Sequence, residues 1–254
     1  MLRVLHEDNH LLVVDKPAGI ATMGSLSGES MHSLAADYVR RKYNKPGKVF
    51  IGIVSRLDTM TSGVLVLART SKAASRLVPQ FGGETSKQKV DRAGKVYLAL
   101  LEGDLADTPE PVTLSDFVRK DDQARRMRVV NKSLPSAQEA LLQYIVLGRS
   151  LGRSADVTLV AVRLLTGRKH QIRVQFSDRG HCVLGDRKYG SQRNFGNGIG
   201  LHSLILQIDH PTLKQRMEFT SSPPNDWNSF IGGLPSIARV RETIDTQFDL
   251  PVLS

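Results

Sequence analysis

Three short segments place polar side chains where packing alone would not require them. The stretch Ile53 to Gly63, IVSRLDTMTSG, leaves an apolar strand through Arg56 and Asp58, turns through small polar residues and re-enters an apolar strand at Val64. A carboxylate held at a strand end suits nucleophilic or general-base work. An isolated aspartate there can equally be a turn residue that accepts backbone N–H bonds. The stretch Thr166 to Arg173, TGRKHQIR, ends a strand at Gly167 and opens a helix, whose first turn presents N–H groups and positive charge. Arg173 is then either a partner for a carboxylate in a cleft or part of a basic surface turn. In Lys95-Val96-Tyr97-Leu98-Ala99, period two sets Lys95, Tyr97 and Ala99 on one face and Val96 and Leu98 on the other. Tyr97 is a core ring or a ring beneath a flat substrate.

Other segments resemble chemistry in letters only. His6-Glu7-Asp8-Asn9-His10 matches H-E-x-x-H, but zinc chemistry needs that pattern on a helix, and Asp8-Asn9 is turn chemistry between two short strands. Gly196 to Gly200 has the wrong glycine spacing for a dinucleotide loop and no strong strand before it. Cys182, the one cysteine, excludes an internal disulfide framework and reads as a small core residue.

The elements that must position these residues are mostly strands. Apolar and β-branched runs predict strands at Arg3–His6, Leu11–Asp15, Phe50–Val54, Gly63–Ala68, Val96–Leu101, Val112–Val118, Arg128–Val130, Ala140–Val146, Val157–Leu165, Leu204–Ile208 and Met217–Phe219. Helices are expected over Met31–Tyr43, over Ser71–Gln80 with Ser71 as N-cap, over His170–Asp178, and in a short piece after Asp226 that carries Trp227 and Phe230. Residues 82–94 read as a loop. Strands outnumber helices and do not alternate with them, so the expected class is α+β with a mixed, mostly antiparallel sheet and flanking helices.

The chain has 254 residues, with 35 Lys and Arg against 25 Asp and Glu, a formal charge of +10. Such a surplus favours a polyanionic partner, because neutralised phosphates release counterions. The basic residues gather in separate segments, at Arg40-Arg41-Lys42, Arg125-Arg126-Met127-Arg128, Arg168-Lys169 and Arg187-Lys188. No secretory pattern opens the sequence, and no apolar run approaches the roughly 18 residues of a membrane helix. The expectation is a cytoplasmic protein with no membrane partner.

Together the three chemical segments resemble the RluA-type family of RNA pseudouridine synthases, whose signature is R-L-D-x-x-T-S-G, a K-x-Y-x-A strand and a G-R-x-H-Q-I-R turn. The same order is found here in Arg56 to Gly63, Lys95 to Ala99 and Gly167 to Arg173. Val14-Asp15-Lys16-Pro17-Ala18-Gly19, Leu184 to Gly190, Leu201-His202 and His210-Pro211 also look like the family. The resemblance implies the pseudouridine synthase fold, with an active-site cleft across the sheet. It implies that Asp58 is the catalytic aspartate, that Arg173 pairs with it, and that Tyr97 stacks on the target base. Ile172 would wall the pocket, and Arg56 would fill the space left by the flipped nucleotide. Ser55 departs from the family, which usually has His there, and the segment after Gly19 lacks the usual proline-containing pattern. The implied partner is RNA, ribosomal or transfer, with no cofactor and no metal. The chain is expected to be a monomeric, single catalytic domain over 1–254 without an N-terminal S4-type domain, and with a loosely packed tail over 236–254.

The reaction so implied detaches uracil from C1′, turns it and rejoins it through C5. It needs a carboxylate near the sugar, a dry pocket and a grip on the free base. A carboxylate beside a guanidinium stays ionised at neutral pH, which suits either a nucleophile or a base that removes the C2′ proton. Flipping the uridine out of its stack costs a few kcal/mol. Two rival readings stand beside this one. The first is a non-catalytic RNA-binding protein on the same fold, which the intact Asp58, Tyr97 and Arg173 disfavour. The second is an enzyme of free nucleosides, which the broad basic surface disfavours.

Overall fold

Glycine and proline punctuation between apolar runs yields, in a computed structural model, the strand-rich α+β architecture that the pattern implies. The structure describes residues 2–24, 28–82, 93–107, 109–150, 156–230 and 235–250. In chain order the elements begin β1 (Arg3–Glu7), β2 (Leu11–Lys16), α1 (Met31–Lys42), β3 (Gly52–Ile53), β4 (Ser62–Ala68) and α2 (Ser71–Leu77). They continue β5 (Gly94–Glu102), β6 (Val112–Asp121), β7 (Arg126–Val130), β8 (Gln138–Ser150), β9 (Val157–Leu164) and α3 (Gln171–Asp178). They end β10 (Leu201–Asp209), β11 (Arg216–Thr220) and α4 (Ile237–Gln247). Every strand pair with a described register is antiparallel. The chain divides into two units, one of residues 1–94, 203–221 and 251–254, the other of 95–202 and 222–250.

In the first unit the sheet runs β1-β2-β4-β10, with β11 on β10 and β3 on β4. Leu11, Leu12, Val13 and Val14 are all fully buried, as are Val66, Leu67 and Ala68. Strands covered on both faces lose the polar alternation of a half-exposed strand, which is why these segments read as continuous apolar runs. Leu11, Val13, Val64, Val66, Leu206 and Ile208 form the core with Ala73 and Leu77 of α2. Helix α1 starts in a capping box between Ser30 and Ser33, buries Met31, Ala35 and Val39 four residues apart, and ends in Arg40, Arg41 and Lys42, cations suited to its C-terminal dipole.

The H-E-x-x-H letters lie across the β1–β2 hairpin. Asp8 Oδ1 accepts the N–H groups of His10 (2.6 Å) and Leu11 (2.8 Å). Its Oδ2 lies 2.9 Å from His6 Nε2 and 3.1 Å from His210 Nε2. Burial raises the Asp8 pKa, but these hydrogen bonds outweigh it and bring the group down to about 2.

In the second unit the order is β5-β9-β8-β6-β7. Ala99, Leu101, Leu142, Val160 and Val162 pack with Ile172 and Phe176 of α3. A second cluster joins Val118, Met127 and Ala140 to Val174 and Tyr189. In the tail, Val240, Ile244 and Phe248 are buried.

Several boundaries differ from the sequence expectation. The helix expected over Ser71–Gln80 has Thr70, not Ser71, as N-cap, because the Thr70 side chain accepts the Ala73 N–H. It gives way to a 3-10 turn at Val78–Phe81, where Pro79 sits at the start. The strand expected over Phe50–Val54 pairs only at Gly52 and Ile53. The piece after Asp226 is a 3-10 helix, Asn225–Ser229. Most of the loop expected over 82–94 falls outside the described residues.

Candidate active site

Asp58 lies on the connection between β3 and β4 in the first unit. Its carbonyl accepts the Thr61 N–H at 3.1 Å, closing a turn that returns the chain to β4. The side chain is half-buried, Leu57 before it is buried, and Arg56 two positions earlier is exposed. Apolar Leu57 thus anchors the loop while its polar neighbours face outward. Gly63 ends the turn at φ +109, and a Cβ there would sit 2.2 Å from the Ser203 carbonyl oxygen. Only glycine allows β4 to run that close to β10.

The segment after β2 braces the loop from below. Thr22 Oγ1 donates to the Leu57 carbonyl at 2.8 Å and accepts the Leu57 N–H at 3.2 Å. Gly19 N–H donates to the Thr59 carbonyl at 2.8 Å. Lys16 is fully buried, and its Nζ donates to the carbonyls of Pro17 (2.8 Å) and Thr59 (3.1 Å). Burial pushes the Lys16 pKa down to about 8, against the opposing pull of the Asp58 charge. The loop that carries Asp58 is therefore clamped on both sides of it, at Leu57 and at Thr59.

Tyr97, Ile172 and Arg173 lie in the second unit. Tyr97 is half-buried on β5, opposite Val162 of β9, and packs on the apolar cluster that contains Ala99 and Ile172. The alternation expected of this strand holds: Tyr97 and Ala99 share the cluster that Val96 and Leu98 do not join. Ile172 is buried in the first turn of α3.

The turn ahead of α3 is built around Gln171. Its Oε1 accepts the Thr166 hydroxyl (2.8 Å) and the Arg168 N–H (2.9 Å), and its Nε2 donates to the Leu141 carbonyl (2.9 Å). His170 takes a left-handed φ of 53 and places its Nδ1 2.8 Å from the Tyr189 hydroxyl. Arg173 is buried and bidentate on Asp186, Nε to Oδ2 at 2.6 Å and Nη2 to Oδ1 at 2.8 Å. Its guanidinium carbon stands 5.0 Å from the centre of the Tyr189 ring. The fork geometry and the ring face fix the orientation of Arg173. The resemblance implies a pairing of Arg173 with Asp58, a residue of the other unit; Asp186 is its partner within its own.

Lys16, Thr22, Gln171, Asp186 and Tyr189 received no role from the sequence. Lys16 and Asp186 each stand in a motif that resembles the family, and a lysine closing the run LLVVD was the available signal. Cys182, expected as a small core residue, is only half-buried; burial still raises its pKa, and its Sγ lies 2.9 Å from the Tyr189 carbonyl oxygen.

Residues 10–178 match the family described as RNA pseudouridylate synthase. The uncharacterized RNA pseudouridine synthase YlyB of Bacillus subtilis is 32% identical over 237 residues, 92% of this chain and 73% of the relative. Ribosomal large subunit pseudouridine synthase D of Pseudomonas aeruginosa is 31% identical over 244 residues, 89% of this chain and 69% of the relative. Among solved structures, human RNA pseudouridylate synthase domain containing 1 superposes with a TM-score of 0.71 at 24% identity, over 99% of this chain and 97% of that one. That last likeness is one of fold. With a family match over most of its length and relatives of this identity, the chain belongs to the RNA pseudouridine synthases, a family of isomerases.

Proposed function

We propose that this protein converts specific uridines of ribosomal RNA to pseudouridine, with Asp58 as the catalytic residue. The observation that carries the reading is the Asp58 loop. A half-buried carboxylate sits between two clamped residues, Leu57 and Thr59, with the buried Lys16 ammonium bonded to the same loop. A carboxylate so fixed suits work on one sugar carbon, as nucleophile or as the base for the C2′ proton. Tyr97 stacks on the uracil, an interaction worth about 1–3 kcal/mol per base. Ile172 keeps water from the detached base, and Arg173, oriented by Asp186, is the partner that the resemblance assigns to Asp58. Arg56, exposed beside Asp58, fills the gap left when the uridine is flipped out. Relatives named for the ribosomal large subunit support ribosomal rather than transfer RNA. The protein works as a monomer in the cytoplasm, without metal.

The test incubates purified protein with transcribed ribosomal and transfer RNA, with no added metal, and maps pseudouridine. Asp58→Ala is expected to abolish product while RNA affinity falls little. Product from Asp58→Ala sinks the assignment. Tight binding without product from the unaltered chain would favour the non-catalytic reading.

A further inference from the structure

We propose that the β6–β7 hairpin and the turn ahead of α3 form a phosphate-binding groove that holds the RNA backbone. The proposal rests on the pseudouridine synthase reading and adds to it the surface by which this chain grips its RNA. A groove of about 890 Å³ lies in the second unit, with Arg119, Lys120, Arg128 and Lys169 among its walls, and Asp121 and Asp122 beside them. Asp121 pairs with Arg128 at 3.1 Å, and Asp122 pairs with Lys120. Arg125 and Arg126, exposed at the hairpin tip, add further positive charge.

Two features of the hairpin concentrate positive charge on it. Arg119 of β6 stands directly opposite Arg128 of β7 in the ladder, and like charges in directly opposed positions repel. Asp121 already pairs with Arg128; a phosphate between the two guanidiniums adds a charge-assisted hydrogen bond to each. Arg125 adopts φ 48, a left-handed conformation that glycine or asparagine takes more readily. A cation stands where conformation alone favours a glycine.

The groove is also joined to the site. Lys169 belongs to the turn that carries His170, Gln171, Ile172 and Arg173. Met127, another wall residue, donates its N–H to the Tyr189 hydroxyl at 3.0 Å. That hydroxyl meets His170, and the Tyr189 ring lies against Arg173. An RNA backbone seated in the groove is thereby held in register with Arg173.

The experiment measures binding of a labelled ribosomal-RNA stem-loop transcript by anisotropy across a salt series. The groove variant is Arg119→Ala, Arg125→Gly, Lys169→Ala, all exposed positions. A control of equal charge loss is Lys72→Ala, Lys214→Ala, Arg239→Ala. The groove variant should bind about tenfold or more weaker at about 100 mM salt, with a slope of log K on log salt shallower by about 2, while the control stays within about twofold. Equal losses in both variants, or unchanged affinity and slope in the groove variant, overturn the groove. If the unaltered chain makes pseudouridine while the groove variant binds as it does, only the groove falls. An unaltered chain that neither binds RNA nor modifies it removes both readings.

Discussion

Lys16 gives the sharpest test of how the Asp58 loop is built. Its ammonium is fully buried on two carbonyls, and its pKa is pushed from 10.5 down to about 8 by that burial. The unfolded chain therefore binds the proton more tightly, and between about pH 8 and pH 10.5 it carries more protons than the folded chain. Stability contributed by this group rises with pH across that window and is lowest below pH 8. The whole displacement is worth about 3.4 kcal/mol at about 1.36 kcal/mol per pH unit, of which about 2.5 kcal/mol falls between pH 7 and pH 10. The assay is urea denaturation of the unaltered protein and Lys16→Met at both pH values. Other lysines, the tyrosines and Cys182 titrate alike in the two proteins, so the difference of differences isolates Lys16. The unaltered protein should gain about 2–3 kcal/mol more than Lys16→Met on going from pH 7 to pH 10. A difference within about 0.5 kcal/mol, or a loss, would show that Lys16 keeps an ordinary pKa in the fold and that its burial does not govern the loop.

Two further substitutions probe the same framework. Gly63→Ala combines a strained φ with a Cβ driven onto the Ser203 carbonyl; it should cost about 3 kcal/mol or more and displace the Asp58 loop, so the denaturation midpoint and pseudouridine yield should fall together. Asp186→Asn leaves the buried Arg173 guanidinium without its carboxylate; about 3–5 kcal/mol of stability should be lost, read by thermal unfolding. A variant as stable as the parent would mean that Asp186 is not what anchors Arg173.

The buried strands were the legible part of the fold. In β2 and β4 both faces are covered, so Leu11 to Val14 and Val64 to Ala68 announce themselves as unbroken apolar runs. The hairpin β6–β7 was shorter in the sequence reading than in the structure. Val112–Val118 extends to Asp121 and Arg128–Val130 begins at Arg126, because the added residues are ladder-paired yet charged, apart from the buried Met127. Hydrogen bonding continued where the apolar pattern stopped. The candidate site was legible as three motifs, including Asp58 on its loop and Tyr97 on the face it shares with Ala99. Its supports were not. Nothing local marks Asp186 as the partner of Arg173 or Thr22 as the clamp on Leu57, since the pairings span 13 and 35 residues and depend on how the chain turns between them.

The contact of Gly63 with Ser203 has a consequence for synthesis. Strand β4 needs β10 beside it, yet roughly 130 residues separate their sequences, so at 5–20 residues per second β4 waits about 7–27 s on the ribosome for its neighbour. Through that interval the SGVLVLA segment of β4 offers an unpaired apolar edge of the kind that recruits other chains. The loop bearing Asp58 has its clamps, Lys16, Gly19 and Thr22, as soon as it emerges, while the strand it leads into keeps an open edge until β10 arrives.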